Sequence, residues 1–438
     1  MTHRGSRVLR VGSLARVEGE GSLHLRVAGR RVEEAHLRIY EPPRFFEAFL
    51  RGRVHTEPPD ITARVCGICP VAYQMSACRA IEDACGVTVD QQVRDLRRLL
   101  YCGEWIESHA LHIYLLHAPD FLGCDSAVDL ARTQRAAVER GLRLKQAGNA
   151  VLELLGGRAI HPVNVRLGGF HRVPARGELR PLAERLRRAA EDAWETVRMV
   201  ARFDFPDAFL DADFLALSSP LTYAVEEGTP SVLSAGGSRR QFPVGAFLDH
   251  VREEHVPHST ALHSRLDGRR HLTGPLARFA VSGGSLSPTA REAVREAGLE
   301  AVCRNPYRSV LVRAVEVVYA VDEALRIIAA YDPPARPHVD VPPRQGTGHG
   351  VTEAPRGLLY HRYRLDHEGT VTDACLVPPT AQNQGAIEDD LVRIVEQTLA
   401  EGDPTDEELT RLCERAIRNH DPCISCSAHF LDLTIDRA

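Results

Sequence analysis

The sequence predicts an α+β fold that is mostly α-helical: a large helical bundle with small antiparallel β pieces near both ends. Three observations predict it. Residues 8–40 alternate apolar and polar side chains, apolar positions recur every three or four residues through the middle of the chain, and alternation returns at 360–376. We treat residues 1–438 as a single unit, with a β-meander in 1–60, the bundle in 61–335 and a mixed region in 336–438.

The first elements are strands, and most of the others are helices. Glycines divide residues 8–40 into short alternating runs, which predicts an antiparallel β-meander. Helices are predicted where apolar residues line one face, at 90–117, 127–155, 182–200, 309–331, 385–400 and 405–419. Thr405 and Glu408 form a capping-box pattern at the start of the last helix.

Region 336–438 begins in a loop. Prolines and glycines are frequent in residues 332–356, which predicts irregular backbone there. Alternating runs at 360–365 and 371–376 flank His367-Glu368-Gly369 and predict a β-hairpin.

Composition and charge exclude several classes of protein. The chain has 54 basic and 59 acidic residues, a formal net charge of −5, so electrostatics give no support for nucleic-acid binding. Apolar runs are too short or too interrupted by charge to span a bilayer. The N-terminus lacks the apolar core of a signal peptide. We expect a cytoplasmic protein without membrane insertion, whose eleven cysteines are thiols or metal ligands.

Four cysteines form two CxxC units, Cys66 with Cys69 and Cys423 with Cys426. Two such units offer one metal ion four thiolates, because the two-residue spacer lets both sulfurs of a unit face the same centre. By spacing alone, a closed structural zinc site or a rubredoxin-like iron site is the simpler interpretation. However, the two units lie 354 residues apart, unlike those of a zinc ribbon. The metal is therefore expected deep in the fold, between the two ends of the chain.

The residues around the cysteines resemble a known family. Arg64-Val65-Cys66-Gly67-Ile68-Cys69 and Asp421-Pro422-Cys423-Ile424-Ser425-Cys426-Ser427-Ala428-His429 are similar to signatures of the large subunit of nickel–iron hydrogenases. Further motifs match in the family's order, so the resemblance covers almost the whole chain. They are Arg16-Val17-Glu18-Gly19, Phe46-Glu47 with Arg51-Gly52-Arg53, Ala354-Pro355-Arg356-Gly357, and Val377-Pro378-Pro379-Thr380.

The resemblance implies that all four thiolates bind nickel. It also implies that Cys69 and Cys426 bridge to an iron ion that carries carbon monoxide and cyanide ligands. Thiolates are soft ligands that suit nickel. The implied reaction is the reversible, heterolytic oxidation of H2 to protons and electrons. The implied cofactor contacts are Pro355, Arg356, Val377, Pro378 and Thr380.

The resemblance implies catalytic roles for Glu18, Arg356 and Asp421. Glu18 would carry protons away from a nickel thiolate. Arg356 would polarise H2 or donate a hydrogen bond to a cyanide, and Asp421 would orient its guanidinium through a bidentate pair. Without the resemblance, Glu18 is typical of a strand edge, Arg356 of a protein surface, and Asp421 of a helix end or turn.

The resemblance also implies a magnesium site. Its ligands would be Glu47, a backbone carbonyl near Cys375, and His429. Mg2+ prefers oxygen ligands and keeps several waters, so the histidine is expected from the family alone. Without the resemblance, Glu47 is typical of an exposed helix.

Three positions depart from the family pattern. Tyr73 stands where histidine is common, Ser108 where aspartate is common, and Pro379 where a cyanide-binding serine or threonine is common. A phenol titrates at about pH 10, which argues against proton relay by Tyr73. The pattern looks most like the cytoplasmic branch of the family that is coupled to pyridine nucleotides or deazaflavin. Residues 430–438 follow the histidine after which precursors in this family are usually cut.

The other seven cysteines form no CxxC unit, so we expect them to pack in the core and expect no iron–sulfur cluster in this chain. No glycine-rich dinucleotide motif follows a predicted strand. Electrons would therefore leave through an iron–sulfur small subunit, and onward through diaphorase-type subunits with flavin to a soluble carrier such as NAD(P). The alternative is a non-catalytic homologue with a closed zinc or iron site, acting as a structural subunit of a redox complex. Such relatives usually lose the cysteines, and all four are present here.

Overall fold

The N-terminal part of the chain is a three-stranded sheet. The computed structural model describes residues 6–42 and 45–428. Strands β1 (Ser6–Val11), β2 (Gly21–Ala28) and β3 (Arg31–Ile39) are antiparallel, in the order β1-β2-β3. Alternation along β2 buries Leu23, Leu25 and Val27 on one face. The β-meander predicted for 8–40 is confirmed.

Short helices lead from this sheet to the first CxxC unit. Helix α1 (Phe46–Leu50) packs against a C-terminal strand, and α2 (Pro58–Thr62) precedes the unit. Helix α3 (Pro70–Cys85) begins directly after Cys69, with Pro70 in its first turn. Proline is favoured there because the first backbone N–H groups of a helix have no acceptor within it.

Long helices form the centre of the molecule. The helices in this part are α4 (Gln91–Leu111), α5 (Ala118–Phe121), α6 (Ala127–Thr133), α7 (Arg135–Gly156) and α8 (Leu179–Val200). Helix α4 packs along α7, and α7 packs along α8. A π-helical turn, His112–His117, joins α4 to α5. The apolar face predicted for α8 is buried. The segment predicted as one helix at 127–155 is broken at Gln134.

Three small sheets lie within 61–335, which was predicted as a helical bundle, so that prediction is incomplete. Strand β4 (Val165–Arg166) pairs with β5 (Gly169–Phe170). Strands β6 (Asp213–Ser218), β7 (Thr229–Leu233) and β8 (Arg239–Gln241) form an antiparallel sheet, in which β11 (His271–Leu272) pairs with β6 in parallel. After the short helix α9 (Phe247–His250), β9 (Val251–Glu254) pairs with β10 (His263–Leu266). Five of the six residues of β6 are buried, so the strand carries no alternation that sequence reasoning can detect.

The chain then returns to the bundle. The helices are α10 (Pro275–Ser282), α11 (Pro288–Glu296) and α12 (Ser309–Ala330), and α12 packs against both α4 and α8. Helix α12 is apolar on nearly every side because it lies in the middle of the bundle. Three charged residues of this helix are nevertheless buried, Arg313, Glu316 and Glu323. Arg313 donates to the Asn419 carbonyl, and Glu316 pairs with Arg278 on α10.

A three-stranded antiparallel sheet follows: β12 (Gly346–Ala354), β13 (Gly357–Leu365) and β14 (Val371–Val377), in that order. The predicted hairpin is confirmed as β13 and β14. The prediction of irregular backbone at 332–356 is wrong from residue 346 onward. Glycines at 346, 348 and 350 make the segment look like a loop, but they let β12 lie directly against α3.

The last elements are helical: α13 (Pro379–Glu401), α14 (Asp406–Asn419) and α15 (Ile424–Ser427). The capping box of Thr405 and Glu408 is present at the start of α14. Helix α13 packs against β3 and β10, and it begins beside the second CxxC unit. Among the described residues, no helix has both the length and the apolar composition needed to cross a bilayer.

Candidate metal centre

The structure brings both CxxC units together. The thiols of Cys66, Cys69, Cys423 and Cys426 are buried, and their sulfurs all lie within 4.8 Å of one another. The Cys66 and Cys423 sulfurs are 3.5 Å apart, and those of Cys69 and Cys426 are 3.6 Å apart. Such a group of soft donors fits one metal ion, or two that share sulfurs.

The first unit is a tight turn that ends in a helix. The backbone N–H groups of Ile68 and Cys69 both point at the Cys66 sulfur, at 3.3 Å. The next two N–H groups, of Val71 and Ala72, donate to the buried carboxyl of Glu104, at 2.6 and 3.2 Å. Glu104 therefore fixes the start of α3 beside Cys69. Sequence reasoning missed it, because its partners lie more than thirty residues away.

The N-terminal sheet region supports the second unit. Residues Glu18 and Cys423 form a parallel β-bridge, in which the Ile424 N–H donates to the Glu18 carbonyl at 3.0 Å. The backbone is close here because Gly19 has φ +86°, and a Cβ would lie 2.8 Å from that of Ile424. The Cys423 N–H donates to the Thr380 hydroxyl at 2.9 Å, which joins the unit to the start of α13.

The Glu18 carboxylate contacts the cysteines directly. The Cys423 thiol donates to its Oε2 at 3.1 Å, and the Ser425 N–H donates to the same oxygen at 3.1 Å. Glu18 is partly exposed, whereas Cys423 is buried. The carboxylate therefore links a buried sulfur to the outside of the site, which is the geometry that a proton acceptor requires.

Arg356 and Asp421 form a buried ion pair beside the four thiols. Arg356 lies in the two-residue turn between β12 and β13, and its Nε donates to the Asp421 carbonyl at 2.9 Å. Its Nη2 donates to Asp421 Oδ1 at 3.1 Å. Burial alone would lower the pKa of Arg356, but Asp421 and the thiols of Cys423, Cys69 and Cys66 outweigh burial and raise it. The Nη1 group has no acceptor among the described residues, so it can bind a further ligand.

A second arginine, Arg278, positions the turn that carries Arg356. Its guanidinium donates to Glu316 at 2.9 Å, to Glu353 at 3.1 Å and to the carbonyl of Pro355 at 2.8 Å, and it stacks on Trp105. Every one of these side chains is buried. The sequence offered no signal for this group, because its members come from α4, α10, α12 and β12.

The thiols have the electrostatics of a metal site. Hydrogen bonds from the Cys423 thiol lower the pKa of Cys66 well below its usual range, whereas burial raises the pKa of Cys423. Four thiolates this close repel one another, so their full ionisation requires a cation. The four sulfurs and the unpartnered Nη1 of Arg356 fit a positively charged metal centre that carries anionic ligands.

The residues predicted for magnesium are partly brought together. Glu47 is buried on α1, and its Oε1 accepts a hydrogen bond from the Leu376 N–H at 2.7 Å, next to Cys375 on β14. His429 lies outside the described residues. Glu47 and the backbone near Cys375 thus adjoin as predicted, and a magnesium site there remains a prediction.

Two of the remaining predicted positions, Thr380 and Tyr73, interact with the four-thiol group. Val377 ends β14, and Pro378 directly precedes α13. Pro379, the first residue of α13, has no N–H to donate, and Thr380 follows it. Tyr73 is buried near the thiols, and its hydroxyl has no partner among the described residues. Burial, followed by the charges of the thiols, raises the pKa of Tyr73. Ser108 is buried on α4, and its hydroxyl likewise has no partner there.

Several known proteins are similar to this chain in sequence and in fold. The family model for nickel-dependent hydrogenases matches residues 44–151 and 264–429. The alpha subunits of sulfhydrogenases 1 and 2 of Pyrococcus furiosus are each 33% identical over 97% of this chain, and the matches cover 98% and 100% of their lengths. The structure of an NAD+-reducing NiFe-hydrogenase is similar with a TM-score of 0.87 and 26% identity, over 97% of this chain and 99% of that one. The chain therefore belongs to the large subunits of nickel-dependent hydrogenases.

Proposed function

We propose that this chain is the catalytic subunit of a hydrogenase that oxidises H2 reversibly to protons and electrons. The observation that carries the proposal is the four-thiol group of Cys66, Cys69, Cys423 and Cys426, with Glu18 and Arg356 beside it. When bound by these thiols, a nickel–iron centre with carbon monoxide and cyanide ligands supplies the chemistry that cleaves H2 heterolytically. The chain's own residues hold that centre and move the proton.

Glu18 is the proposed proton acceptor. Its carboxylate already accepts a hydrogen bond from the Cys423 thiol at 3.1 Å, so a proton released at this sulfur has a base within reach. The Ser425 N–H donates to the same carboxylate oxygen and fixes its orientation. Because Glu18 is only partly buried, it can pass the proton outward from the closed site.

Arg356 and Thr380 are the proposed donors to the cofactor's diatomic ligands. Asp421 occupies two donors of the guanidinium and leaves Nη1 unpartnered within the described residues. Thr380 accepts from the Cys423 N–H, so its own hydroxyl hydrogen is free to point elsewhere. Pro355 precedes Arg356, Val377 and Pro378 precede Thr380 by three and two residues, and all three are buried. Exclusion of water there would strengthen the hydrogen bonds of both donors.

The structural role of magnesium belongs to the same proposal. Glu47, the backbone near Cys375 and His429 would bind Mg2+ and hold α1, β14 and the chain's C-terminal part together. The buried position of Glu47 against β14 supports this assignment. A carboxylate buried there is more stable beside a cation than alone.

Electrons are proposed to leave through an iron–sulfur small subunit, and then through diaphorase-type subunits to a soluble carrier such as NAD(P). Within the described part of the chain, the four-thiol group is the one group of four cysteines that could bind a metal. The pKa values of buried thiols such as Cys78 and Cys102 are raised by burial, as expected for cysteines that pack in a core. The NAD+-reducing activity named for one similar structure supports the choice of carrier.

The proposal is tested on the purified native complex, by metal analysis and infrared spectroscopy. We expect one nickel for each copy of this chain, iron in excess of nickel because the small subunit carries iron–sulfur clusters, carbon monoxide and cyanide stretching bands, and H2-dependent dye reduction. Zinc with sulfur neighbours in place of nickel, without those bands, would instead establish the closed structural site.

The cysteines are tested by Cys426→Ser, with Cys124→Ser as the control, because Cys124 lies away from the four thiols and is partly exposed. We expect Cys426→Ser to abolish H2 oxidation and change the infrared bands, while Cys124→Ser keeps both. Full activity of Cys426→Ser would contradict the assignment.

A further inference from the structure

A second group of metal-ligating side chains lies outside the four-thiol centre. His36 is on β3, His258 lies between β9 and β10, and Glu388 is on α13. His263 begins β10 beside them. Glu388 is eight residues along α13 from Thr380, about 12 Å at the rise of an α-helix, so this group is separate from the thiols.

The donor atoms converge. One ring nitrogen each of His36 and His258 and one carboxylate oxygen of Glu388 all lie within 4.8 Å of one another. The His258 Nε2 is 2.8 Å from Glu388 Oε1, and the rings of His36 and His258 stack with centroids 4.2 Å apart. His263 Nδ1 faces the other oxygen of Glu388, at 3.9 Å. Small side-chain rotations therefore suffice to bring these atoms to a common centre.

Polar atoms of this group lack partners. Both ring nitrogens of His263 and the Nδ1 of His36 have no hydrogen-bond partner among the described residues. His263 is 1% exposed, so water does not reach it freely. A buried imidazole without hydrogen bonds is costly, and a ligand that accepts its lone pair removes that cost.

We propose that His36, His258 and Glu388 bind a divalent transition-metal ion of the Zn2+ class, with His263 as a neighbouring fourth donor. Imidazole and carboxylate are ordinary ligands of zinc, and three or four of them complete a tetrahedral shell. The site contains no sulfur, which distinguishes it chemically from the four-thiol centre. It is independent of the proposed hydrogenase chemistry.

The protonation states suit a metal. Burial lowers the pKa of His258 to about 4 and of His263 to about 3, so both rings are neutral at pH 7 and can donate a lone pair. Burial raises the pKa of Glu388 to about 8, and a bound cation would supply the charge that stabilises its carboxylate. The positive charges of Arg38 and Arg270 oppose the binding of a cation at this group, whereas the negative charges of Glu34 and Asp389 favour it.

The site would fasten three elements to one another. The Leu37 N–H donates to Glu388 Oε1 at 3.0 Å, and Gln384 donates to the Leu37 carbonyl and to Ser259. These contacts join β3 and the segment before β10 to α13. Because Thr380 lies in the first turn of α13 and contacts Cys423, the metal would stabilise the position of a helix that contacts the catalytic centre.

The test uses the purified native complex, washed with EDTA and then given Zn2+ alone. We expect one additional zinc per chain, with an X-ray absorption edge and fine structure showing nitrogen and oxygen neighbours and imidazole scattering, while nickel is retained. Zinc surrounded by sulfur would assign the ion to the thiols, and no retained zinc would show that the histidines only pack; either result overturns the proposal.

Variants identify the ligands. We expect His36→Gln with His258→Gln to remove the additional zinc, while the control His367→Gln, at a site 82% exposed, keeps it. Equal zinc in the double variant would overturn the assignment. If the double variant does not fold, the absorption spectrum of the unmodified complex still decides between a nitrogen shell and none.

Discussion

Asp421 binds Arg356 through two different oxygens, one from its backbone and one from its side chain. It can present both because its backbone has φ +49°, in the left-handed region, where aspartate is tolerated better than most residues. The following Pro422 and the buried surroundings hold it there. This backbone conformation costs free energy, and the two contacts that fix the direction of the Arg356 guanidinium offset that cost. Strained backbone held in place in this way is typical of a functional site.

Arg356→Lys is expected to reduce H2 oxidation by about 100-fold, because a lysine cannot keep two donors on Asp421 and a third toward a ligand. Nickel content and the infrared bands should persist, with the cyanide bands shifted. The matched control is Arg364→Lys, an exposed position on β13. A normal rate with unshifted bands would show that Arg356 only packs.

Glu18→Gln is expected to slow H2 oxidation by about 100-fold or more, the usual contribution of a general base. Glutamine still accepts the hydrogen bonds from Cys423 and Ser425 but does not take up a proton. Exchange of D2 with water protons should fall in parallel, because both reactions need this proton path. Glu20→Gln, an exposed neighbour, is the control. Undiminished exchange in Glu18→Gln would place the path elsewhere.

At the scale of elements, the strand β12 shows how a glycine-rich segment becomes regular structure. A Cβ at Gly348 would lie 1.9 Å from the Ala80 carbonyl oxygen, and one at Gly350 would lie 2.4 Å from the Ser76 carbonyl oxygen. Both carbonyls belong to the backbone of α3, which cannot move aside easily. The glycines are therefore required for close packing of strand on helix, and that packing places Arg356 beside the helix that starts at Cys69.

Gly348→Ala is expected to destabilise the fold by about 1–3 kcal/mol, the range for overpacking a tight interface. The apparent melting temperature of the complex should fall, and nickel should be lost more readily on warming. Gly177→Ala is the control, since nothing lies within 4 Å of the added Cβ there. Equal melting temperatures for the two variants would show that β12 can shift away from α3.

Helix starts are a second feature at this scale. Thr405 and Glu408 cap α14 from within the same turn, and this was predictable because both partners are local. Glu104 serves the start of α3 from a different helix, and this was not predictable. At both helix starts, backbone N–H groups without an acceptor in the helix donate to side-chain oxygens. Only the distance along the chain between donor and acceptor differs.

At the scale of the whole molecule, burial in the interior changes the pKa values of ionisable side chains, and Glu226 is an example. Burial raises the pKa of Glu226 to about 7, and the charges of Arg79 and Arg97 reduce that rise only in part. In the unfolded chain Glu226 ionises near its ordinary value of 4.5. Because the folded pKa is higher than 4.5, the contribution of protonated Glu226 to stability is fully present below pH 4.5 and is lost as pH rises from 4.5 to about 7.

Glu226→Gln is therefore expected to be more stable than the unmodified protein at pH 8, by about 1–3 kcal/mol, because the glutamine needs no proton. The two proteins should differ much less at pH 5. Apparent melting temperatures at both pH values test this, with exposed Glu300→Gln as the control. An equal difference at pH 5 and pH 8 would mean that a contact, and not ionisation, is responsible.

The sequence by itself determined which chemistry this protein carries. The four cysteines, their flanking motifs, the β-meander, the long helices and the capping box are local patterns, and each is read from residues a few positions apart. It also identified Glu18, Arg356 and Asp421 as candidates, though only through a resemblance.

Only the tertiary structure decided how these parts meet. It joined sulfurs from residues 354 positions apart along the chain, turned a glycine-rich segment into a strand and placed sheets within the predicted bundle. It also supported the turn that carries Arg356 with Arg278, which pairs with Glu316 and Glu353. It also assembled the histidine group around Glu388. The reason is that packing and electrostatic contacts depend on distance in space, and a local sequence pattern contains no information about residues that approach from elsewhere in the chain.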